Sequence, residues 1–457
     1  MKTFQRRTTI DVSASALERW HLKPGALQRL TPPWETVRTI TEPKSIVDGS
    51  RAVVELKQGP IWQRWVAEHR DCKPGHSFSD VQLKGPFASW THIHRFIAEG
   101  ERASTLQDHI RYCLPVHPLS HWIAGWYVRK KLDRTFAYRH SITKIDLERC
   151  ASERKNVPLT IAVTGATGMI GQALLPYLRM RGHTVLPITR TPKNPGDIAW
   201  NPAKGRLSLP DRPIDAAIHL AGENVAGGRW NATRKTRILE SRRLGTRLLC
   251  KALAAHSPNP GVLISASGSN YYPSNTDLVH DEQAPSGDDF LSQVCQVWEE
   301  ETRAAEQAGI RVVRLRIGVV ISAAGGALGK MLLPFQLGAG GQLGSGTQRM
   351  PWIAIDDLVD IMTRALVDDR YHGPINTVAP EMITNLAFTK SLATTLNRPA
   401  IIPIPGFVIK ALFGEMGQTT LLGDLALKPA RLQDLGYTFR HPNIAHALAH
   451  TLGRIQP

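Results

Sequence analysis

The chain has 457 residues, 42% of them apolar, which is enough for two or three domains with ordinary cores. The formal net charge is +17, yet no Arg/Lys block exceeds two or three residues, so the excess does not read as a nucleic-acid footprint. Five cysteines without C-x-x-C pairs, no signal-peptide core in M-K-T-F-Q-R-R, and no apolar run of about 18 residues exclude a disulfide framework and a membrane span, and lead us to expect a cytoplasmic protein.

In chain order, a strand over Phe4 to Val12 precedes a short helical piece, Ala14 to Trp20. Strands follow at Arg51 to Lys57, Trp62 to His69, Phe78 to Leu83 and Trp90 to Ala98, punctuated by Gly59-Pro60, Lys73-Pro74-Gly75 and Gly85-Pro86. From Leu119 to Ile145 the pattern turns helical, with Trp122, Ile123, Trp126, Tyr127, Leu132 and Phe136 as its apolar positions. This order describes an α+β helix-grip domain over residues 1–149, closed by a polar linker, 150–158, that ends in Pro158. His92 and His94 share one strand face, and with His69 and His76 they would suit a metal. No carboxylate or cysteine is suitably spaced, so no metal is expected.

Past the linker, strands alternate with helices. Leu159 to Thr164, Thr184 to Thr189, Asp215 to Leu220, Val262 to Ser265 and Arg311 to Val320 read as strands. Gly171 to Arg181, Trp230 to Ala255 and Phe290 to Ala308 read as helices, and the weakly polar stretch Val319 to Gly344 as a loop with a short helix. The alternation implies an α/β doubly wound parallel sheet over residues 159–457, with a small C-terminal cap from about residue 334.

The first strand of this half runs into G-A-T-G-M-I-G, residues 165–171. Gly165 permits the tight turn, Gly168 lets backbone amides approach a pyrophosphate, and Gly171 lets helix pack on strand. With Ala166, Thr167, Met169 and Ile170 these residues form a candidate dinucleotide cradle at a helix N-terminus. No Asp or Glu lies between Gln172 and Gly196, where an acid would hold the ribose of NAD. Arg190 ends the next strand instead, with Lys193 nearby, and a guanidinium there can fork onto a 2′-phosphate. NADP(H) is therefore expected over NAD(H). Leu220, Ala221, Gly222 and Glu223, at the end of the central strand, complete the candidate cofactor set.

Two resemblances add to this reading. The segments H-L-K-P-G-A-L-Q-R-L-T-P-P-W (21–34), G-P-F-A-S-W-T-H-I-H-R-F (85–96) and F-A-Y-R-H (136–140), in their order of elements, resemble the superfamily of START domains and polyketide cyclases (SRPBCC). That resemblance implies an apolar ligand cavity between sheet and long helix. H-L-A-G-E-N-V-A-G-G-R-W, E-S-R-R-L-G-T-R-L-L, G-D-D-F-L-S-Q-V-C-Q-V-W-E and G-S-G-T-Q-R-M-P-W-I-A-I-D-D-L resemble the extended short-chain dehydrogenase/reductases, in particular an atypical epimerase group. The match covers nearly all of Leu159 to Leu452 and implies an NAD-dependent epimerase/dehydratase-like domain with its C-terminal extension.

Relatives with known reactions use a serine and a Tyr-x-x-x-Lys. Ser267 fits the serine role, but Leu291 and Cys295 fall where the tyrosine and lysine belong. Tyr271 and Tyr272, in the next loop, are the substitute acids. Asp356 and Asp357 read as a helix cap, and Arg316 as a partner for either a substrate phosphate or a carboxylate. The expectation is an NADP(H)-binding epimerase or oxidoreductase acting on a small, apolar or aromatic substrate. The alternatives are a non-catalytic NADP-binding regulator, for example of cell division, and a lipid carrier.

Overall fold

The computed structural model describes residues 1–43, 45–115, 119–152 and 157–454, with the backbone alone at 119–123 and 151–152. The chain divides into two compact units, residues 1–157 with 449–457, and residues 158–448. The last residues thus group with the first unit, whereas the sequence reading gave them to the second. Linker residues 153–156 and the Trp122 and Ile123 side chains lie outside what is described.

The first unit is built on a seven-stranded antiparallel sheet. In chain order its strands are β1 (Lys2–Ile10), β2 (Val37–Thr41), β3 (Arg51–Gln58), β4 (Ile61–Lys73), β5 (Ser77–Lys84), β6 (Ser89–Ala98) and β7 (Ser104–Cys113). Their spatial order is β1-β7-β6-β5-β4-β3-β2. Helices α1 (Ala14–His21) and α2 (Ala26–Leu30) fill the β1–β2 connection, and the long helix α3 (Leu119–Ser152) packs against β1, giving the expected helix-grip arrangement. Two strands, β2 and β7, were not expected. Helix α3 also runs to Ser152, into the segment read as linker.

Alternation decides the inner face. On β6, Trp90, His92, His94 and Phe96 are buried while their neighbours are not. Phe4, Trp90, Ile110, Tyr112, Leu132 and Phe136 fill the space between sheet and α3, where the resemblance implied an apolar cavity. Leu132 and Phe136 face inward as expected, but Trp126 and Tyr127 are 67% and 57% exposed and belong to the outer face. A buried Arg29–Asp146 pair at 2.8 Å ties α2 to α3.

The second unit carries the parallel sheet. Its strands β8 (Thr160–Thr164), β9 (Thr184–Thr189), β10 (Ile198–Asn201), β12 (Ala216–His219), β13 (Val262–Gly268), Arg311–Ile317 and Gly373–Thr377 are joined at one edge by the two-residue strand β11 (Arg206–Leu207). The order runs β11-β10-β9-β8-β12-β13, then Arg311–Ile317 and Gly373–Thr377, all parallel except the β10–β11 pair. Chain direction across the sheet reverses between β8 and β12, which is where such sheets bind their ligands.

Alternate residues feed two helical layers. Ile161, Val163, Ile218 and Ile264 meet α4 (Met169–Met180) and the helix Ile355–Val367, while Ala162, Ala217 and Leu263 meet α5 (Ala232–Ala254) and Ala305. The helix expected over Phe290 to Ala308 is two helices, α6 (Phe290–Glu300) and Arg303–Gln307. The strand expected over Arg311 to Val320 breaks at Gly318 into Arg311–Ile317 and Val319–Ile321.

Candidate functional site

The glycine loop 165–168 leaves β8 and delivers the chain into α4, with Gly168 as N-cap. Two glycines are required by contact. Gly165 has φ +70°, and a Cβ there would lie 2.8 Å from the Leu220 carbonyl carbon. A Cβ on Gly171 would fall 2.4 Å from the Gly165 carbonyl oxygen, so only glycine lets α4 close on the loop. The Gly168 amide donates to the Gly165 carbonyl at 3.0 Å, which curls the loop. The first amides of α4, Met169 to Gly171, have no intrahelical acceptor and face the loop mouth with the helix dipole behind them. Thr167 and Gly168 are exposed, as a pyrophosphate cradle must be, and Gly325 lies beside the Met169 side chain.

The opposite wall is held by a buried polar chain. The Leu220 and Ala221 amides donate to Thr164 Oγ1 at 3.1 and 3.3 Å. Thr164 Oγ1 is 2.7 Å from His219 Nδ1, and His219 Nε2 is 3.0 Å from Thr246 Oγ1. With two amides already donating to it, the threonine oxygen gives its own proton to Nδ1, which makes Nε2–H the tautomer and Thr246 its acceptor. Burial, reinforced by the Arg242 guanidinium, pushes the imidazole down to about 3, consistent with a neutral ring.

Arg242 lies beneath Gly222, where a Cβ would meet its guanidinium carbon at 2.9 Å. Its Nη1 donates to the Glu223 and Ile238 carbonyls at 2.9 and 3.1 Å, and burial pushes it down to about 10. The Glu223 carboxylate pairs with Arg237 at 2.9 Å. Arg190 is exposed just past β9 and, among the described residues, has no ion-pair partner, so its guanidinium is available to a ligand.

The three residues singled out for chemistry sit at the carboxyl end of β13 and just past it, and differ in availability. Ser267 Oγ donates to Glu299 Oε1 at 2.8 Å. Glu299 in turn receives Arg316 through Nε and Nη2, both at 2.9 Å. Arg316 Nη1 donates to the Tyr272 hydroxyl at 2.7 Å, and that hydroxyl donates to Asn376 Oδ1 at 2.7 Å. Tyr272 is fully buried against the His280 ring, and burial raises its phenol further above the ordinary tyrosine range. This geometry removes Tyr272 as a proton donor to a ligand. Tyr271 is half-buried, with the Arg316 guanidinium 3.4 Å above its ring and its hydroxyl unbonded among the described residues.

Of the two readings of Arg316, the carboxylate partner holds. Leu291 and Cys295 are buried in α6, and burial, with Glu299 adding to it, pushes the Cys295 thiol up to about 12, so neither supplies a base. Asp356 and Asp357 do not cap their helix, whose N-cap is Ala354; Asp357 instead accepts the Arg440 and His441 amides at 2.7 and 3.0 Å. Sequence reasoning missed Thr164, His219, Thr246, Arg242 and Glu299 as parts of this framework. The one available signal was polar residues at strand-end or helix positions that a plain core would fill with apolar ones.

With the crevice described, its relatives can be placed. Residues 161–379 match the model of the NAD dependent epimerase/dehydratase family, and residues 404–451 match a domain of unknown function, DUF1731. The human epimerase family protein SDR39U1 is 40% identical over 293 residues, covering 64% of this chain and 98% of its own. An epimerase family protein of Mycobacterium bovis is 38% identical over 298 residues, covering 64% and 98%. A crystal structure of human SDR39U1 isoform 2 with NADPH aligns with TM-score 0.62 and 39% identity over 65% of this chain and all of that one. A nucleoside-diphosphate sugar epimerase from Corynebacterium glutamicum aligns over 99% of this chain and 91% of its own, with TM-score 0.81 and 32% identity, so its likeness extends through the first unit. From the glycine cradle and from relatives matched over nearly their whole length, the chain belongs to the NAD dependent epimerase/dehydratase family.

Proposed function

We propose that the second unit binds NADP(H) and acts on a small-molecule carbonyl or alcohol, as an oxidoreductase or epimerase lacking the usual Tyr-x-x-x-Lys pair. The supporting observation is the cradle of Gly165, Gly168 and Gly171, with Arg190, unpaired among the described residues, just past the neighbouring strand β9. These residues fit the dinucleotide. The amides of residues 168–171 would hold the pyrophosphate, Arg190 the 2′-phosphate, and Leu220 to Glu223 the adjoining ribose. The human relative whose structure contains NADPH is consistent with that preference. Bound, the nicotinamide supplies or accepts a hydride.

Of the two phenols after β13, Tyr271 is the one without a hydrogen bond among the described residues and so able to meet a ligand oxygen. Ser267, Glu299 and Arg316 hold the loop that carries it. The first unit is a START-like domain in this reading, with Phe4, Trp90 and Phe136 packed where an apolar ligand would enter. Purified full-length protein given NADPH and a panel of ketones and aldehydes should oxidise the coenzyme with at least one of them, and Tyr271→Phe should slow turnover without weakening NADPH binding. Absence of turnover with every carbonyl would overturn the enzymatic reading.

One observation favours a second reading, a nucleotide-dependent regulator: Ser267 and Tyr272 are already bonded within the protein, and Leu291 and Cys295 cannot move protons. Tight NADPH binding with no turnover, and a cellular phenotype unchanged by Ser267→Ala with Tyr271→Phe, would support it.

A further inference from the structure

We propose that the first unit binds one divalent transition-metal ion between Asp80, His92 and His94, with His69 at its edge. The sequence reading expected no metal because no carboxylate is suitably spaced along the chain. The sheet supplies what chain spacing does not. His69, Asp80 and His92 stand directly opposite one another on β4, β5 and β6, and His94 stands opposite Asp108 on β7. All five residues point to the inner face, whereas His76 is exposed on a turn.

Asp80 Oδ2 lies 3.2 Å from His94 Nε2 and 3.9 Å from His92 Nδ1, and Asp80 Oδ1 lies 3.4 Å from His69 Nδ1. Donors around a four-coordinate ion with bonds near 2.1 Å lie about 3.4 Å apart. The ligand atoms of Asp80, His92 and His94 all fall within 4.8 Å of one another. His69 is nine-tenths buried, and its Nδ1 has no hydrogen-bond partner although it faces the Asp80 carboxylate.

The groups behind these ligands point the same way. His92 Nε2 is hydrogen-bonded to Asp108 Oδ1 at 2.9 Å, which puts the proton there and leaves Nδ1 as a lone pair aimed at Asp80. His94 Nδ1 lies 2.8 Å from the same Asp108 oxygen without hydrogen-bond geometry, and its Nε2 is the nitrogen turned toward Asp80, bonded to Oδ2 at 3.2 Å. The second Asp108 oxygen meets His140 Nε2 from α3 at 2.8 Å, and His140 Nδ1 is 2.8 Å from Thr8 Oγ1 on β1. One buried carboxylate thus orients the metal-facing His92 imidazole and is itself held from the opposite side by His140. Phe78 stacks on His94 at 4.4 Å, and Phe136 sits edge-on to His92 at 5.2 Å, which limits ring rotation.

Two or three imidazoles with one carboxylate suit zinc or ferrous iron rather than calcium or magnesium. The Asp80 side chain is one-quarter exposed, which leaves a coordination position open to water or to an oxygen of a small molecule.

The test uses the full chain without an affinity-tag polyhistidine, treated with chelator and titrated with cobalt(II) as a coloured probe. The expected result is visible absorption of a low-coordinate cobalt site that saturates at one equivalent and is displaced by zinc. Asp80→Asn and His94→Gln should each weaken binding at least about 10-fold, and His76→Gln should leave it unchanged. Cobalt that keeps the spectrum of the aquated ion, or that binds the Asp80→Asn/His94→Gln double variant as tightly as the parent, would overturn the proposal. X-ray absorption on the parent protein decides the matter even if the variants misfold: imidazole scattering around the metal supports the site, and its absence refutes it.

Discussion

Replacing Glu299 with alanine isolates the contact on which the loop after β13 depends. The Arg316 and Glu299 side chains are 4% and 12% exposed, and the carboxylate receives two bonds from the guanidinium and one from Ser267. Glu299→Ala leaves a buried cation whose remaining partners are a phenol oxygen, a backbone carbonyl and the face of the Tyr271 ring, none of them charged, a change that typically costs about 3–5 kcal/mol. In the second unit, residues 158–448, an unfolding entropy of roughly 2.1 cal/mol/K per residue gives about 1.6 °C per kcal/mol, and so a melting point lower by roughly 5–8 °C. Ser267→Ala removes only one donor to a carboxylate that Arg316 still holds, which costs about 1–2 kcal/mol. Glu299→Ala combined with Arg316→Leu removes both charges, and should be more stable than Glu299→Ala alone. Differential scanning calorimetry of the three variants distinguishes these effects. If Glu299→Ala melts no lower than Ser267→Ala, the pair is not the buried anchor described above.

Arg190→Ala should weaken NADPH binding about 10- to 100-fold through loss of a charge-assisted contact, and leave NADH binding unchanged, in a fluorescence titration. Gly171→Ala forces a Cβ against the Gly165 carbonyl and should abolish detectable binding of either coenzyme in the same assay while the protein remains folded by circular dichroism. The His219 imidazole is held at about 3 in the fold, against about 6.5 in an unfolded chain. A depressed value means that its contribution is present above pH 6.5 and is lost as pH falls toward 3, with a span on the order of 5 kcal/mol. His219→Gln should therefore flatten the acid limb of the urea-stability profile between those pH values, and parallel profiles would contradict the assignment.

The parallel sheet was legible because its strands are short β-branched or apolar runs set between helical patterns, and because G-A-T-G-M-I-G has only one common structural use. Strand β7 was not legible. Its buried face reads Leu106, Asp108, Ile110, Tyr112, and the aspartate breaks an alternation that would otherwise mark the strand. Asp108 is tolerated there only because His92 and His140 reach it from other elements, a fact of register rather than of local sequence. The same reason hid Asp80 as a partner of His92. Glu299 and Arg316 meet because α6 packs against β13 and its neighbouring strand, so the role of the glutamate followed from tertiary contact. Ser267, set by the sequence just past a strand ending at Ser265, stands within β13 near its carboxyl end, and its hydrogen-bond partner could not be read from its position.

Isothermal titration of the full-length chain with NADPH, and in parallel with NADH, addresses the nucleotide reading most directly. A crevice built on Gly165, Gly168, Gly171 and Arg190 predicts one site per chain and at least about 10-fold tighter binding of the 2′-phosphorylated coenzyme. Equal affinities would remove Arg190 from the account, and no heat with either coenzyme would contradict the reading as a whole.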